Sequence, residues 1–326
     1  MSSNLQQEIA TAPSPKVSII VISYNTREMT LKALETVYAE TRETPFELIV
    51  IDNNSSDGSA EALQRDYGER AIVHCLDENL GFAAANNVAA QEATGEFLLL
   101  LNPDTEVLDG AIDRLMAFAR EYPDAGIWGG RTLFADMSLN PTSCWSRMSL
   151  WSLTSQALGL SSIFRNSSLF NPEAMGSWNR EGIRQVDVVT GCFFLIRRDF
   201  WNQLGGFDKA FFMYAEEADL CARAAKAGAR PMVTSEATII HHGGASETVQ
   251  SDKLVRLIKA KMTLIYKHFP AATRGLAMWL MKLWPLSRYL AHRVLAALGR
   301  AASKESAAVW KSVWDRRAIW TDVKDL

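Results

Sequence analysis

The amino-acid sequence predicts an α/β fold, and three observations in its first hundred residues support this. Short apolar runs alternate with helical patterns, the runs are rich in Val, Ile and Leu, and polar segments follow several of them. Strands that alternate with helices in this way are typical of βαβ units and a largely parallel sheet. The run Val17–Ser23 is apolar almost throughout, which predicts a central strand covered on both faces.

The remaining elements are predicted in order from the same patterns. The first strands are Val17–Ser23, 48–52, 71–76, 97–102 and 126–132, and the first helices are Arg27–Glu40, Ser59–Tyr67, 83–91 and 108–122. Residues 135–186 have weak periodicity and many Ser, Asn and Trp, which predicts a long loop or insertion that covers a substrate. A buried strand over 188–197, a helix over 214–227 and a strand over 232–242 follow.

The C-terminal quarter differs in composition from the rest of the chain. Residues 253–326 hold 15 Lys and Arg against 4 Asp and Glu, whereas residues 1–252 hold 19 against 33. Five of the ten tryptophans also lie in this basic part, whose helical pattern is interrupted at Pro270 and Pro285. We therefore expect a disordered tail over 1–15, a catalytic domain over 16–252, and a basic, Trp-rich helical region over 253–326.

Composition also excludes several classes of protein. Hydrophobic residues make up 48% of the chain and charged residues 22%, as in globular proteins. No stretch reaches the roughly 18 uncharged apolar residues of a membrane-spanning helix, and the polar first fifteen residues do not resemble a secretory signal. Because no nucleic-acid-binding module is recognisable, an anionic membrane face is favoured over nucleic acid as partner of the basic region. We expect a cytosolic or membrane-face protein.

Polar residues follow three of the predicted parallel strands. Ser23, Tyr24 and Asn25 follow the first strand, Asp52 ends the second, and Asn102-Pro103-Asp104 follows the fourth. In open α/β sheets, ligands bind beyond the carboxyl ends of the strands. A carboxylate at such a tip suits Mg²⁺ or Mn²⁺, which takes one or two carboxylates and completes its shell with phosphates and water. The alternative for Asp104 is ordinary turn chemistry.

Asp52 ends a strand that neighbours the first one, so it is expected to face the same crevice. There it is able to accept hydrogen bonds from a base N–H or a ribose hydroxyl. Turn formation and helix capping are the alternative for Asp52, Ser55 and Asp57, and we favour that alternative for Asp57 only. No G-x-G-x-x-G follows the first strand and no P-loop sequence occurs, which disfavours dinucleotide oxidoreductases and P-loop enzymes.

Three carboxylates open the predicted helix over 214–227. The helix dipole favours acidic residues there, and Asp219 with Arg223 forms an i,i+4 pair, so a purely structural role is the alternative. Glu216 and Glu217 point about 100° apart on a helix, so one is able to face a cleft while the other does not. A cleft carboxylate flanked by aromatic residues is where a raised pKa and general-base behaviour are expected.

The histidine pair His241-His242 stands at a predicted strand end, directly before Gly243-Gly244. Adjacent side chains of a strand point to opposite faces, so at most one of the two enters a given site. A structural histidine is the common alternative. The two glycines count in favour of a functional role for one of these histidines, because they allow a ligand to approach the backbone closely.

Seven segments in this order resemble the family 2 glycosyltransferases with the GT-A fold, and in particular bacterial rhamnosyltransferase-like members that build cell-surface polysaccharides. The segments are VSIIVISYN (17–25), IVIDNNSSDGS (49–59), ENLGFAAAN (78–86), LNPD (101–104), GGFD (205–208), EEADL (216–220) and HHGG (241–244). The resemblance covers roughly residues 16–250, and the region beyond 253 has no such match.

The resemblance implies an inverting transferase that uses a nucleotide-diphosphate sugar and Mg²⁺ or Mn²⁺. It makes Glu217 the catalytic base, with Glu216 as the fallback, and Asp104 and His241 the metal-binding residues. Asn102 stands where the first aspartate of the family's Asp-x-Asp motif often lies. The donor-binding residues that it implies are Ser23, Tyr24, Asn25, Asp52, Asn54, Asn79, Gly81, Phe82, Asn86, Asn102 and Asp104.

The basic region fits a lipid-linked acceptor. Helical spacing places on one stripe Leu276, Trp279, Leu280, Leu283, Leu286, Leu290, Val294 and Ala297. A helix with Trp and Leu on one face and cations elsewhere lies in the membrane interface. The alternative is a helix packed on the catalytic domain or in the seam of a homodimer. We expect a peripheral protein on the inner face of the bacterial plasma membrane.

Two other functions compete with sugar transfer. A catalytically silent sugar-nucleotide-binding scaffold is disfavoured by the presence of both a metal carboxylate and a base. A nucleotidyltransferase that makes nucleotide sugars is disfavoured because Ser23-Tyr24-Asn25-Thr26-Arg27 lacks the glycines of its usual phosphate loop. The resemblance favours dTDP-rhamnose as donor over a UDP- or GDP-sugar, and a glycan or polyprenyl-diphosphate-linked glycan as acceptor.

Overall fold

The computed structural model describes residues 14–243 and 249–323. Most of the tail predicted over 1–15, namely residues 1–13, lies outside the described residues. The strands are β1 (Val17–Ser23), β2 (Phe46–Asp52), β3 (Ile72–Cys75), β4 (Phe97–Leu101), β5 (Thr105–Val107), β6 (Ile127–Leu133), β7 (Leu139–Asn140), β8 (Cys144–Trp145), β9 (Ile183–Gln185), β10 (Val188–Val189), β11 (Phe193–Arg197) and β12 (Met232–His241).

The helices are distributed along the whole described chain and are longest near its C-terminal end. They are α1 (Arg27–Glu40), α2 (Ser59–Tyr67), α3 (Gly81–Glu92), α4 (Ala111–Glu121), α5 (Leu150–Ala157), α6 (Leu160–Ile163), α7 (Arg198–Leu204), α8 (Glu216–Lys226), α9 (Gln250–His268), α10 (Ala271–Ala297), α11 (Ala302–Asp315) and α12 (Arg317–Thr321).

The central sheet has the strand order β3-β2-β1-β4-β11-β6-β12-β5. Strands β3, β2, β1 and β4 are mutually parallel, whereas β11 runs antiparallel to both β4 and β6. The sheet is therefore parallel in its first half and mixed in its second. In the parallel half, Ser23 pairs with Asp52 and Val21 with Leu101, so β1, β2 and β4 end at the same edge.

Strand β1 explains why this sheet is covered on both faces. All seven of its residues are buried. Ile19 and Val21 belong to the core cluster on one face, while Ile20 and Ile22 belong to the cluster on the other. Since successive side chains of a strand point to opposite faces, only a continuous apolar run satisfies two hydrophobic layers, as the sequence predicts.

The structure corrects the prediction of a long loop over 135–186. Two helices, α5 and α6, form there, together with the short strands β7, β8 and β9. Ser149 caps α5 by accepting a hydrogen bond from the Ser152 amide at 3.1 Å, and Leu153 of this helix packs into a third core cluster with α9 and α10. A helix of only eight residues shows little periodicity in the sequence, because its cap and its tertiary packing stabilise it.

Further predictions in the middle of the chain were wrong in detail. The strand predicted over 188–197 is two strands, β10 and β11, and helix α7 directly after it was not predicted. The helix predicted to begin at 108 begins at Ala111, and the preceding residues form strand β5, which also was not predicted. Strand β5 has only three residues, and it pairs with β12 from the far end of the domain. Local sequence patterns do not indicate pairing between strands that are so far apart along the chain.

Helices α9 to α12 enclose the third core cluster, which includes Met281 and Trp320. Helix α10 begins directly after Pro270, as predicted, but continues through Pro285 instead of ending there. Pro285 is buried, and the neighbouring Trp284 packs edge-on against Trp310 with ring centroids 5.5 Å apart. Packing against neighbouring helices overrides the helix-breaking tendency of the proline.

The stripe predicted on α10 also needs one correction. Leu280 is only 8% exposed and packs into the third core cluster, and the half-buried Leu283 packs against the same cluster. Leu276, Trp279, Leu290 and Val294 are each about half exposed, at 48–59%, and lie within about 60° of one another at 100° per residue. We call these four residues the α10 ridge. Within the described residues, no helix has the length and apolarity needed to cross a membrane.

Candidate active site

The end of β2 carries a buried carboxylate with one free oxygen. Asp52 is only 2% exposed, and its Oδ2 accepts a hydrogen bond from the Ser55 amide at 3.0 Å. Its Oδ1 has no hydrogen-bond partner among the described residues. A buried acceptor without a partner is costly, so this oxygen is a ready acceptor for an N–H or O–H group of a ligand.

The tip of β1 lies beside this carboxylate. Asn25 has a positive φ of 52°; its amide nitrogen donates to Ser55 Oγ at 2.9 Å and its side-chain oxygen accepts from the Ser56 amide at 2.7 Å. Tyr24 is half-buried. Ser23 is fully buried, and its hydroxyl contacts Thr30 Oγ1 at 3.0 Å, so Ser23 shapes the tip while its side chain faces the protein.

Asp57 has the capping role that the sequence favours for it. Its carboxylate accepts hydrogen bonds from the Arg27 amide at 3.0 Å and from the Ser59 amide at 3.1 Å. These two amides open helices α1 and α2, where free N–H groups need acceptors. Asn54, which the family resemblance assigns to donor binding, is exposed at a positive φ of 64°.

The start of α3 is joined to β2 by Asn53, a residue that the sequence reasoning missed. Asn53 Oδ1 accepts from the Leu80 amide at 2.9 Å, and its Nδ2 donates to Asn79 Oδ1 at 3.0 Å. Asn79 Oδ1 also accepts from the Gly81 amide, so it serves the turn itself. The only signal for Asn53 was its place next to Asp52 at a strand tip.

Gly81 is required by a close approach to the segment before α8. It has a φ of 78°, and a Cβ atom there would lie 2.3 Å from the Phe212 carbonyl oxygen. The Phe82 amide donates to the same carbonyl at 2.8 Å. Asn86 is 1% exposed; its Nδ2 donates to the Phe82 carbonyl, while its Oδ1 has no partner among the described residues. The hydrogen bond between Phe82 and Phe212 joins helix α3 to the segment that precedes the acidic helix α8.

The ends of β4 and β12 bring Asp104 and His241 together. Asp104 Oδ1 lies 3.4 Å from His241 Nε2, and Asn102 Nδ2 lies 3.3 Å from the same nitrogen. The His242 amide donates to the Asp104 carbonyl at 3.0 Å. Its side chain points elsewhere and pairs with Glu106 at 2.8 Å. His241 is thus the histidine of the pair that faces Asp104.

The electrostatics of this pair favour a charged carboxylate. Burial alone would raise the pKa of Asp104, but the hydrogen bond and charge of His241, with the Gly243 amide, hold that pKa below its usual range. Burial lowers the pKa of His241, yet the Cys192 sulfur and the Asp104 carboxylate outweigh this and raise it to about 10. A cation that binds His241 Nε2 would therefore displace a proton.

The residues present fit a hard divalent cation in part. Asp104 supplies an anionic oxygen and His241 supplies the ring nitrogen Nε2. The other ring nitrogen of His241, Nδ1, is buried without a hydrogen bond among the described residues. No group of three or more His, Cys, Asp or Glu side chains in the described chain is arranged to hold a metal ion. Two protein ligands are enough for Mg²⁺ or Mn²⁺ when substrate phosphates and water supply the rest.

The acidic helix α8 begins with the two candidate bases in different environments. Glu216 is 4% exposed and Glu217 is half-buried. Each has an Oε2 atom without a hydrogen-bond partner among the described residues. The roughly 100° between adjacent helical residues gives them different exposure: Glu216 is buried as a whole, whereas Glu217 is partly exposed although its Oε2 atom is buried.

Both glutamates hold protons more tightly than usual. Burial, reinforced by the charge of Glu217, raises the pKa of Glu216 well above its ordinary value. Burial raises the pKa of Glu217 to about 7, against the opposing effect of backbone amides at the start of the helix. A carboxylate with a pKa near the working pH is suited to accept and release a proton.

The segments that carry these groups are linked by a series of contacts. The Asn102 amide donates to the Cys192 carbonyl at 3.2 Å. A Cβ atom on the adjacent Gly191 would lie 3.3 Å from the Phe82 ring, and Phe82 is bonded to Phe212, four residues before Glu216. The tip of β4, the start of α3 and the start of α8 are therefore neighbours, which the spacing in the sequence does not reveal.

Solved structures with the same architecture identify the class of fold. One is the mannosyltransferase PcManGT from Pyrobaculum calidifontis in complex with GDP-Man and Mn²⁺, 17% identical, covering 99% of this chain and 92% of that one, with a TM-score of 0.56. Another is S. aureus TarS 1–349, 16% identical, covering 93% and 91%, with a TM-score of 0.51. The chain has the GT-A fold of glycosyltransferases.

The sequence comparisons then fix the family. The model described as Glycosyl transferase family 2 matches residues 18–205, more than half of the chain. The chain therefore belongs to glycosyl transferase family 2, as its motifs predict. The family match ends before the acidic helix and includes neither Glu217 nor His241.

Two relatives show which named proteins of the family this chain is similar to. The N-acetylglucosaminyl-diphospho-decaprenol L-rhamnosyltransferase of Mycobacterium tuberculosis H37Rv is 30% identical over 215 residues, 61% of this chain and 67% of that protein. The O-antigen biosynthesis protein RfbC of Myxococcus xanthus is 29% identical over 241 residues, 72% of this chain but only 18% of that protein. This chain spans less than a fifth of RfbC.

Proposed function

We propose that this protein is an inverting, metal-dependent glycosyltransferase that moves a sugar from a nucleotide diphosphate to a lipid-linked glycan. The observation that carries the proposal is the arrangement at one edge of the sheet. There the unpaired Oδ1 of Asp52, the Asp104–His241 pair and Glu217, with a pKa of about 7, lie on segments that are linked through the start of α3, by the Leu80–Asn53 hydrogen bond on one side and the contacts of Phe82 on the other.

In this proposal the donor nucleotide lies over the ends of β1, β2 and β4. Asp52 Oδ1 accepts a hydrogen bond from the base, and the tip at Tyr24 and Asn25 borders the pocket. Support comes from the burial of Asp52, because a buried acceptor without a protein partner needs a hydrogen-bond donor, which the base would supply. The relation to an L-rhamnosyltransferase makes dTDP-rhamnose our first candidate donor, ahead of UDP- and GDP-sugars.

The diphosphate lies beside Asp104 and His241, which would hold Mg²⁺ or Mn²⁺ together with its oxygens. When bound, such an ion supplies Lewis-acid stabilisation of the negative charge on the departing diphosphate. The low pKa of Asp104 keeps its carboxylate charged for this role. Asn102 borders this pair, with its side-chain nitrogen 3.3 Å from His241 Nε2.

Glu217 acts on the other reactant, the acceptor hydroxyl. Its carboxylate takes the proton as the hydroxyl oxygen bonds to the anomeric carbon and the bond to the diphosphate breaks on the opposite face. A positioned general base contributes about 10²–10⁴-fold in rate. Attack opposite the leaving group inverts the anomeric centre. Glu216 is less suited to this role because it is 4% exposed and thus withdrawn from the acceptor.

The acceptor side faces a membrane in this proposal. The α10 ridge is apolar and half exposed, Lys282 and Arg293 on the same helix are exposed, and α10 contains no Asp or Glu. Helices of this kind lie in the interface of anionic bilayers. We place the protein on the inner face of the bacterial plasma membrane, where it meets a polyprenyl-diphosphate-linked glycan.

We also propose the division of the chain into a catalytic domain over 16–252 and a C-terminal helical region over 253–326. The two are closely joined: helix α9 begins at Gln250, and Leu153 and Ala157 of α5 belong to the core that α9 and α10 form. The C-terminal region therefore supports the catalytic domain while it presents the α10 ridge outward.

The function is tested by a panel of nucleotide sugars with Mg²⁺ or Mn²⁺, read by thermal shift and by nucleotide-diphosphate release with a lipid-linked glycan acceptor. A donor at a hundredfold excess over its Kd stabilises the fold by about 2.7 kcal/mol. Stabilisation by one donor together with transfer of its sugar is the expected result. Stabilisation without transfer to any acceptor would favour the silent scaffold.

The role of Glu217 is tested in the same assay by two matched variants. Glu217→Gln keeps the size of the side chain but removes the base, so kcat should fall by about 10²–10⁴-fold while the Kd for the donor stays the same. Glu216→Gln serves as the control and should retain most of the activity. Full activity in Glu217→Gln, or a larger loss in Glu216→Gln, would overturn the assignment.

A further inference from the structure

Two consecutive residues at the end of α9 contact the segment that carries the glutamates. His268 Nε2 lies 2.7 Å from Asp219 Oδ1, and Lys267 Nζ donates to Asp208 Oδ2 at 2.9 Å. Asp208 precedes α8 and Asp219 lies in its first turn. The C-terminal helical region therefore holds this segment at both ends, with Glu217 between the two contacts.

The contact at Asp219 is largely buried and belongs to a network of hydrogen bonds. Asp219 is 2% exposed, and its Oδ2 accepts from Arg223 Nε at 2.7 Å. Arg223 in turn donates to the carbonyls of Leu204 and Gly206, at 2.7 and 2.8 Å. If His268 is removed, Oδ1 of a buried carboxylate loses this partner, which destabilises the present position of the Asp219 side chain and of the first turn of α8.

The backbone directly before α8 is strained, so it depends on such contacts. Tyr214 and Ala215 both have positive φ angles, 73° and 66°. Non-glycine residues in this region cost about 1–3 kcal/mol each and persist only where the surroundings hold them. On one side the Phe82 amide bonds to the Phe212 carbonyl at 2.8 Å. On the other side, His268 and Lys267 supply the support.

We propose that His268 is a positioning residue for the catalytic base, acting through Asp219. It fixes the first turn of α8 in the orientation in which Glu217 meets the acceptor hydroxyl. This inference rests on the proposed role of Glu217. It makes a residue of the C-terminal helices necessary for efficient transfer, although the family match ends at residue 205.

Two substitutions of His268 distinguish the loss of its hydrogen bond to Asp219 from the loss of the imidazole itself. An imidazole with its proton on Nε2 donates to Asp219 Oδ1, while Nδ1 is buried without a partner among the described residues. A glutamine at 268 places an amide N–H near the same position, whereas alanine leaves Asp219 without this donor. His268→Gln should therefore rescue what His268→Ala loses.

The kinetic test compares His268→Ala, His268→Gln and, as a matched control on α10, His292→Ala. In His268→Ala, kcat should fall at least tenfold while the donor KM stays within twofold of the wild type. In His268→Gln, kcat should stay within threefold, and His292→Ala should be unchanged. An unchanged kcat in His268→Ala, equal losses in the alanine and glutamine variants, or a loss confined to donor KM would overturn the proposal.

A structural readout keeps the test independent of the reaction. Hydrogen exchange of the amides over 212–222 should be faster in His268→Ala than in the wild type or His292→Ala, and close to wild type in His268→Gln. Unchanged exchange in all variants would contradict the positioning role. If the wild type transfers no sugar but exchange follows this pattern, the proposed function fails and the positioning role of His268 stands. Lys267→Met should give a smaller increase in exchange at the same amides.

Discussion

The two sides of the candidate site are built in different ways. On the donor side, Asp52 ends β2 and Asp104 follows β4, the two parallel strands that flank β1, so the sheet itself brings them to one edge. On the acceptor side, Glu217 stands on a helix whose position depends on Phe82 and His268, residues distant in sequence. A donor site of this kind is readable from local patterns, whereas the position of the base depends on tertiary contacts.

The largest effect that probes the donor side is expected for Asp104→Ala. Loss of the anionic ligand removes several kcal/mol of charge stabilisation, so kcat/KM should fall by more than about 100-fold, and Mn²⁺ binding in the presence of the nucleotide should weaken in parallel. The matched control is His242→Ala, whose side chain pairs with Glu106. Metal-stimulated activity that survives in Asp104→Ala would remove Asp104 from the site.

A smaller effect than that of Asp104→Ala is expected for Asp52→Asn. The asparagine side chain has no negative charge, and its NH2 group can replace the acceptor oxygen that faces the N–H group of the base. A hydrogen bond to a charged group is worth about 1.5–3 kcal/mol, so the donor KM should rise about 10- to 100-fold with little change in kcat. Asp57→Asn is the control, because Asp57 caps α1 and α2. It should lower stability without changing KM; equal KM values for both variants would contradict the nucleotide contact.

The smallest effect concerns the outer surface of the C-terminal region. The double change Trp279→Ser with Leu290→Ser should reduce the affinity for anionic phospholipid vesicles, measured by co-sedimentation, about tenfold, since the two side chains together contribute on the order of 1.4 kcal/mol when partly buried in the interface. Met29→Ser, an exposed apolar change on α1, is the control. Binding that is unaffected by the double change would leave the α10 ridge without its proposed partner.

The same contrast explains how far the sequence alone leads. Strand β1 and helices α1 and α2 have the predicted bounds, because β1 is an unbroken apolar run and each helix is a helical pattern between polar residues. The insertion with α5 and the continuation of α10 through Pro285 were not predicted, since packing between helices decides both. At the site, the choice of Glu217 over Glu216 and of His241 over His242 needs burial and pairing, which spacing does not give.

Cys75 illustrates the limit of neighbourhood as a guide. It ends an apolar run, and that run predicts a core residue, yet Cys75 is exposed. Strand β3 lies at the edge of the sheet, with a burial that falls toward its end. Cys192, which directly precedes an apolar run, and Cys221, which lies within a helical pattern, are buried. An apolar run predicts a strand, but the position of that strand in the sheet sets its burial.

The most direct test of the central claim is the pH dependence of kcat/KM in the wild type and in Glu217→Gln. The active form of a general base is deprotonated, and burial raises the pKa of Glu217 to about 7. Wild-type kcat/KM should therefore rise about tenfold per pH unit below 7 and level off above it, while Glu217→Gln should be slow and nearly independent of pH. A wild-type profile that is flat between pH 5.5 and 8, or an unchanged rise in Glu217→Gln, would contradict the claim.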